Sequence, residues 1–405
     1  MAVIWIINQY GYLTEGASNS RHGCFAKLLG ERGHQVTLIH AKNHHLNKNK
    51  SDNKTVAGNK GCDAISISTT PYSHANDKRR VLGWLEFSWK ITRLASTVKP
   101  SPDVILVSSP SLISFLGAYR IAKSTKAKLI FEFRDIWPAS MILLGKISEK
   151  HPFILFLKWV EKIALKNSDH CISTMEGGPE YVEKLLGLGH KCSWIPNAAP
   201  ITAGQARSRQ LNLKEPKLAF AEGTFIAAYA GTIGSSNSVD TIIEAAIILR
   251  KNNNIGFVVM GEGSMKATLV KLAQKHKLTN VQFTDHLADE DVGSVLHRAS
   301  VTLLCWKDLP IYDYGTSPNK LPLYLKAGKP IIQAYSGSYD PIKKHKLGIT
   351  VPSENASQLA AAVLKVSKMD ARTRNAYSKN AKALANKVYS YESLVEKFEK
   401  ALITT

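Results

Sequence analysis

Thr316-Ser317-Pro318-Asn319-Lys320-Leu321-Pro322-Leu323-Tyr324-Leu325-Lys326-Ala327-Gly328-Lys329-Pro330-Ile331-Ile332 is the stretch that decides how this chain is read. Ser317-Pro318-Asn319 reads as a helix start, with a capping side chain and a proline compatible with the first turn. Leu321 to Ala327 reads as a short helix, Gly328 as its left-handed stop, and Pro330-Ile331-Ile332 as entry to a buried strand. Lys320 then sits in a first turn, where free N–H groups and the positive end of the helix dipole favour an anion. A helix start that also carries a cation suits a diphosphate. An ordinary loop–helix–strand connection with a solvated lysine is the other reading of the same residues.

Working outward, short apolar runs alternate with helical patterns along the whole chain, which predicts parallel sheets wrapped by helices. The strands expected in the first half are Val3–Ile7, Val36–His40, Ile65–Ser68, Val104–Val107, Leu129–Phe133, Cys171–Thr174 and Ser193–Ile195. The second half restarts with Ile226–Ala230, Phe257–Met260, Val281–Phe283, Val301–Leu304, Pro330–Ala334 and Gly348–Val351. Arg21 to Arg32 reads as a helix ending at Gly33, with Phe25, Leu28 and Leu29 inward. Pro196-Asn197-Ala198-Ala199-Pro200 and the polar stretch to Pro216 read as a hinge, and Lys42 to Lys60 as a polar loop. The expected architecture is α/β: two doubly wound, Rossmann-like domains, 1–200 and 201–385, facing a central cleft, the default ligand site of such sheets. Residues 386–405 are expected to pack back on the body as a helix, with Leu394, Val395, Phe398 and Leu402 on one side.

Composition agrees with two ordinary cores. A chain of 405 residues is long for one core, and 44% hydrophobic with 21% charged residues is typical of globular proteins. Five cysteines, at 24, 62, 171, 192 and 305, form no C-x-x-C pair and no metal-ligand spacing, as expected of reduced thiols in a cytoplasmic protein. Val3-Ile4-Trp5-Ile6-Ile7 follows Met1 too closely, and without a basic flank, to be a signal peptide. The uncharged run from Val104 to Tyr119 is broken by Ser108-Ser109-Pro110-Ser111, which reads as strand–turn–helix rather than a membrane span. The net charge of +21 is spread evenly, +11 in residues 1–200 and +10 in 201–405, so no single half is a dedicated nucleic-acid face. Aromatic-interleaved basic motifs of the RNA-binding kind are absent, and nucleic acid is not expected as a partner.

Each half places a glycine-containing loop after its first strand. The first runs from Asn8 to Asn19 with Gly11 and Gly16; the second is Gly231-Thr232-Ile233-Gly234, before a helix from Val239. Glycine lets a backbone approach a phosphate, and the helix that follows supplies N–H donors. Neither loop matches G-x-G-x-x-G or the P-loop pattern. Gly261-Glu262-Gly263, after Phe257–Met260, places a carboxylate where it could accept from a base or ribose.

In this order the pieces resemble the bacterial family 4 glycosyltransferases: Gly16, Arg21-His22, Gly33-His34-Gln35-Val36-Thr37, Arg134-Asp135-Ile136-Trp137-Pro138, Ile195-Pro196-Asn197, Gly231-Thr232-Ile233-Gly234, Gly261-Glu262-Gly263, and Ser317-Pro318-Asn319-Lys320 with Gly328-Lys329-Pro330. The similarity is greatest to the O-antigen and capsule branch that transfers N-acetylated amino sugars. The resemblance implies the two-domain GT-B fold, a UDP-sugar donor held mainly by the second domain, an acceptor held mainly by the first, retention of anomeric configuration, and no divalent metal or cofactor. It places Gly16, Gly231, Thr232, Gly234, Gly261, Glu262, Ser317, Asn319 and Lys320 around the donor, Arg21 and His22 around acceptor phosphate or sugar, and Asp135, Arg134 and Lys320 at the chemistry. No aspartate-x-aspartate pair is placed for a metal, so the departing diphosphate must be met by Lys320, helix starts and backbone amides.

The chain departs from that family where two glutamates eight residues apart are expected; here those positions are Gly315 and Leu323. The basic residues expected after the first strand of the second domain are replaced around Thr232 and Asn237, and a histidine often found before Asp135 is Arg134. Asp135 could position the acceptor hydroxyl or take its proton, or serve as a cap beneath Trp137-Pro138. Arg21 and His22 could equally be a solvated helix terminus. Lys158, Lys162 and Lys166, beside Phe153, Phe156, Leu157, Val160 and Ile163, together with Trp84 and Trp89, suit either a membrane surface or core-facing helices. The expectation is a retaining glycosyltransferase moving an N-acetylated hexose or deoxyhexose from a UDP-sugar to a lipid-diphosphate-linked glycan at the cytoplasmic membrane face. Its rivals are a nucleotide-sugar epimerase of the same architecture and a non-catalytic nucleotide- or glycan-binding scaffold.

Overall fold

The computed structural model describes residues 1–13, 20–42, 61–72, 77–199, 218–284, 287 and 289–404. Gly16, the loop read over 43–60 and the part of the hinge over 200–217 lie outside them. The chain divides into two compact units, Met1–Pro200 with Tyr391–Thr405, and Ile201–Ser390.

The first unit is built on β1 (Val3–Ile7), β2 (Gln35–Ala41), β3 (Cys62–Ile67), β4 (Val104–Ser108), β5 (Lys128–Phe133), β6 (His170–Ser173) and β7 (Cys192–Trp194). They form one parallel sheet in the order β3-β2-β1-β4-β5-β6-β7. The second unit holds β8 (Phe225–Ala230), β9 (Ile255–Met260), β10 (Val281–Thr284), β11 (Val301–Cys305), β12 (Ile331–Ala334) and β13 (Gly348–Val351), all parallel in the order β10-β9-β8-β11-β12-β13. Helices cover both faces of such sheets, so the central strands are buried on both sides and read as apolar runs rather than alternating ones. That is why each of the thirteen expected strands falls on an observed one. In each sheet the chain reverses its direction of travel once, between β1 and β4 and between β8 and β11, and ligands of open parallel sheets bind beyond the strand ends at such a point.

The helix Arg21–Glu31 begins at Ser20, whose hydroxyl accepts the Gly23 N–H, and it stops before Gly33 at φ +92°. The last helix, Tyr391–Ile403, belongs to the first unit. Phe398 stacks on Phe25 with ring centroids 4.0 Å apart, Tyr391 meets the same ring edge-on at 5.2 Å, and Glu399 accepts from Arg32 (2.5 Å) and pairs with His34 (2.8 Å). All five cysteines are buried free thiols.

The basic–aromatic surface needs one correction. Trp84 is buried, its indole N–H donating to Tyr10 Oη at 2.8 Å, because it lies on the core side of the helix Arg79–Ile91. The exposed large apolar residues of that helix are Leu82, Leu85 and Trp89, spaced three and four apart, and on the helix Pro152–Asn167 they are Leu155 and Trp159. An aromatic run of Trp84, Phe153, Phe156 and Trp159 connects the two helices.

Candidate active site

At the switch point of the second unit, β8 ends at Ala230 and β11 at Cys305. The helix Lys320–Ala327 is pinned against this end by Tyr324, which is fully buried; its hydroxyl accepts the Ala230 N–H (2.7 Å) and donates to the Ala230 carbonyl (3.2 Å). Gly328 closes the helix in the left-handed conformation at φ +64°. Asn319 does not cap it with its side chain. Its backbone is already helical (φ −61°, ψ −22°), and a side chain on such a backbone does not fold back onto the N–H groups of the first turn. In the first turn the Leu321 N–H donates to the Pro318 carbonyl (3.3 Å) and Pro322 has no N–H, so what this helix start offers is the side chain of Lys320, its first residue.

Lys320 turns across the end of β8. Its ammonium donates to Tyr229 Oη (2.9 Å) and Asn237 Oδ1 (2.7 Å), and lies 4.4 Å from the Tyr229 ring centroid and 5.8 Å from that of Trp306. Tyr229 Oη and Asn237 Nδ2 both donate onward to the Thr232 carbonyl, which holds the two acceptors in place. Among the described residues no carboxylate pairs with this lysine. Burial pushes its pKa down to about 7, opposed by the nearby Cys305.

The glycine loops make room for this arrangement. A Cβ at Gly231 would stand 2.9 Å from Lys320 Cε, and one at Gly261 would stand 2.0 Å from the Gly231 carbonyl oxygen. The loops after β8 and β9 are joined backbone to backbone, Gly231 N–H to the Met260 carbonyl (3.0 Å) and Ile233 N–H to the Glu262 carbonyl (2.8 Å). Two further donors have no partner among the described residues: Trp306 Nε1 and Ser238 Oγ are buried and unbonded. Ser238 precedes the helix Val239–Ile248 with φ +38° and does not cap it. Orphaned buried donors cost free energy unless something accepts from them. Around Lys320 the site is therefore short of acceptors and rich in donors, the arrangement an anion needs. Trp306 and Ser238 escaped the sequence reading because a lone tryptophan after a strand and a serine before a helix carry no distinctive spacing.

The structure brings Gly231, Thr232, Gly234 and Lys320 together, with Gly261 and Glu262 in the adjoining loop. Ser317 and the exposed Asn319 lie in the segment leading into the lysine's helix. The Glu262 carboxylate accepts from Lys266, the first residue of the helix Lys266–Lys275, at 2.6 Å. The remaining residues lie in the first unit. Arg21 and His22 are not a solvated helix terminus: both are buried and bonded to the buried Glu132. Asp135 accepts the Ile136 N–H (2.8 Å) and is hydrogen-bonded by Ser140 and Trp137, the cap that its place before Trp137-Pro138 also allowed; burial raises its pKa. Among the described residues, no group of three or more His, Cys, Asp or Glu side chains is arranged to hold a metal ion.

Comparison with known proteins bears on the same unit. The family described as "Glycosyl transferases group 1" matches residues 212–384. That matched stretch lies within the second unit. Over 187 residues the chain is 28% identical to WcaI of Escherichia coli (strain K12), named as a colanic acid biosynthesis glycosyl transferase; the match spans 45% of this chain and 45% of that relative, about half of each. Among solved structures, sucrose-phosphate synthase from Thermosynechococcus elongatus superposes with a TM-score of 0.74 at 15% identity, over 99% of this chain and 98% of its own. WaaG, a glycosyltransferase of lipopolysaccharide biosynthesis, does so at 0.68 and 17% over the whole of both chains. Anabaena HepE, solved with UDP and glucose, does so at 0.66 and 12% over 99% of each. The fold is that of the GT-B glycosyltransferases, two parallel-sheet Rossmann-like domains, and Lys320 and the Gly231 loop lie inside the stretch that the family matches.

Proposed function

We propose that this chain is a retaining glycosyltransferase that moves a sugar, an N-acetylated hexose or deoxyhexose, from a UDP-sugar to a lipid-diphosphate-linked glycan during surface polysaccharide synthesis. The observation that carries the reading is Lys320, a cation with no carboxylate partner among the described residues, placed at a helix start and a switch point inside the stretch matched by the glycosyl transferase family. As the bond between the anomeric carbon and the diphosphate breaks, negative charge collects on UDP. The Lys320 ammonium and the Trp306 and Ser238 donors are fixed before that charge appears, which favours the transition state over the ground state. WcaI and WaaG are named for polysaccharide and lipopolysaccharide synthesis, and HepE was solved with UDP, in keeping with donor and pathway class.

A panel of UDP-sugars incubated with extracted lipid-linked acceptors tests the reading. UDP release matched by a lengthened glycan is expected with at least one pair. Sugar isomerisation without acceptor would instead make the protein an epimerase, and UDP binding with no turnover on any pair would make it a scaffold.

A membrane-borne acceptor also suits the exposed side chains of the first unit. Leu82, Leu85, Trp89, Leu155 and Trp159 stand among the exposed cations Lys78, Arg79, Arg93, Lys162 and Lys166, with the Arg93 guanidinium 4.0 Å over the Trp89 ring. Apolar and aromatic side chains ringed by cations match an anionic bilayer surface. No helix of the described residues is long and apolar enough to cross a membrane. The protein is expected to co-sediment with phosphatidylglycerol vesicles at about 50 mM salt and to be released at about 0.5 M. Replacing both Trp89→Ser and Trp159→Ser should cut the bound fraction at least about fivefold. Equal binding to phosphatidylcholine vesicles, or no effect of the double variant, would remove the surface from the account.

A further inference from the structure

The switch point of the first unit carries a charge cluster that the transfer described above leaves unused. Glu132, at the end of β5, is fully buried and has both oxygens occupied. Oε1 accepts from Arg21 Nε (2.9 Å); Oε2 accepts from His22 Nε2 (2.5 Å) and Ser108 Oγ (2.8 Å). The proton on His22 can be placed. The Tyr10 N–H donates to Asn8 Oδ1 (2.9 Å), so Asn8 turns its Nδ2 to His22 Nδ1 (2.6 Å), and the ring proton sits on Nε2 facing Glu132. The imidazole is neutral, and burial lowers its pKa. Arg21 uses its other nitrogens on the Ile195 (2.9 Å) and Pro196 (2.5 Å) carbonyls. One carboxylate and one guanidinium are thus matched.

Arg134 breaks the balance. It stands two residues beyond Glu132, just past the end of β5, and is close enough for the two charges to act on each other. Its backbone is tied down, N–H to Ser109 Oγ (3.0 Å) and carbonyl to Thr174 Oγ1 (3.3 Å), yet among the described residues nothing accepts from its guanidinium, and its Nε is buried without a partner. Asp135 next to it is turned into its own cap. Among the described residues the cluster holds two guanidinium groups against one carboxylate, at the strand ends where parallel sheets bind ligands. A guanidinium always carries its charge and presents paired N–H donors that match a carboxylate or phosphate in two-point contact.

We infer that Arg134 is the recognition group for an oxyanion carried by the glycan substrate, a carboxylate of a uronic acid or a phosphate of a lipid-diphosphate acceptor. The inference rests on the transferase reading for what the substrate is, and on the first unit alone for the site. It makes Arg134 a binding residue, with no bond made or broken there.

The test uses glucuronate, inorganic pyrophosphate and neutral glucose as probes, with thermal shift and tryptophan fluorescence as readouts. All proteins carry Lys320→Met, so that the cation of the second unit does not capture pyrophosphate. A saturable response is expected to glucuronate or pyrophosphate and none to glucose, at least tenfold weaker in Arg134→Gln and intermediate in Arg134→Lys, which keeps the charge without the fork. Preference for glucuronate assigns a uronic acid; preference for pyrophosphate assigns the lipid diphosphate. No response to either anion, or equal affinity in parent and Arg134→Gln, overturns the inference. Should Arg134→Gln fail to fold, the comparison of parent with Arg134→Lys decides: a response about threefold weaker or more is expected from loss of the fork, and equal affinity overturns the inference. Turnover of UDP-sugars by the unmodified protein is scored separately, so loss of the transferase reading and loss of this site are distinguishable.

Discussion

Lys320→Met is expected to lower kcat on the preferred UDP-sugar by about 10²–10³-fold, the scale reported when one preorganised donor to a developing anion is removed, while Tm stays at or above that of the parent protein. The two halves of this expectation have different origins. The ammonium is held against the Tyr229 and Trp306 rings, bonded to a phenol and an amide with no carboxylate among the described residues, which is an unfavourable setting for a cation. Methionine keeps the unbranched stem and removes the charge, so the folded protein is relieved of a penalty it carries for function. Lys320→Ala is a poorer probe because it also empties space beside Tyr229. The result to look for is lost turnover with undiminished thermal stability. A Met variant that unfolds early would show that Lys320 holds the fold together, and one that turns over normally would show that the departing charge is met elsewhere.

The second large effect is in pH. With a pKa near 7 in the free protein, Lys320 is charged below neutrality and mostly neutral at pH 9. The diphosphate diester of a UDP-sugar keeps its charge over this range and the uracil N3–H ionises only from about pH 9 upward, so a change in affinity between about pH 7 and 8.5 reports on the protein. Bound diphosphate stabilises the ammonium and raises its pKa. Affinity should therefore be flat below about pH 7 and fall roughly tenfold per pH unit above it, until the pKa of the complex is reached. Over the same window, calorimetry in buffers of different ionisation enthalpy should show up to one proton taken up per donor bound, absent in Lys320→Met. For the empty protein the sign is opposite. The folded-state pKa lies below the usual lysine value, so this group disfavours the fold most when the solution is below pH 7 and its penalty fades as pH rises through 7 to 10.5. A donor affinity independent of pH between 6.5 and 9 would contradict the assignment.

Most of the fold was legible because parallel strands buried on both faces have no alternative but apolar runs, and because Gly33 and Gly328 mark helix ends that only their local backbone requires. The C-terminal helix was legible from its spacing, since Leu394, Val395, Phe398 and Leu402 repeat on one side and all are buried. The site was legible only in its backbone parts. Lys320 and the Gly231 loop could be named because a helix start and a glycine turn have local signatures. Glu132 could not, being one acidic residue inside the run Leu129–Phe133, whose meaning comes from Arg21 and His22 more than a hundred residues away. The same holds for Trp306, which becomes informative only when its indole N–H is found buried without an acceptor. Asn319 shows the reverse failure: a residue type that favours helix caps stands at the right place with a backbone that prevents it from capping.

A crystal structure of the protein with UDP tests the central claim most directly. The account predicts a phosphate oxygen at hydrogen-bonding distance, about 3 Å, from Lys320 Nζ, drawing it from Asn237 Oδ1 or Tyr229 Oη, with further contacts to Trp306 Nε1, Ser238 Oγ or the amides of the Gly231 loop. Phosphates bound away from these groups, with both Lys320 hydrogen bonds unchanged, would contradict it.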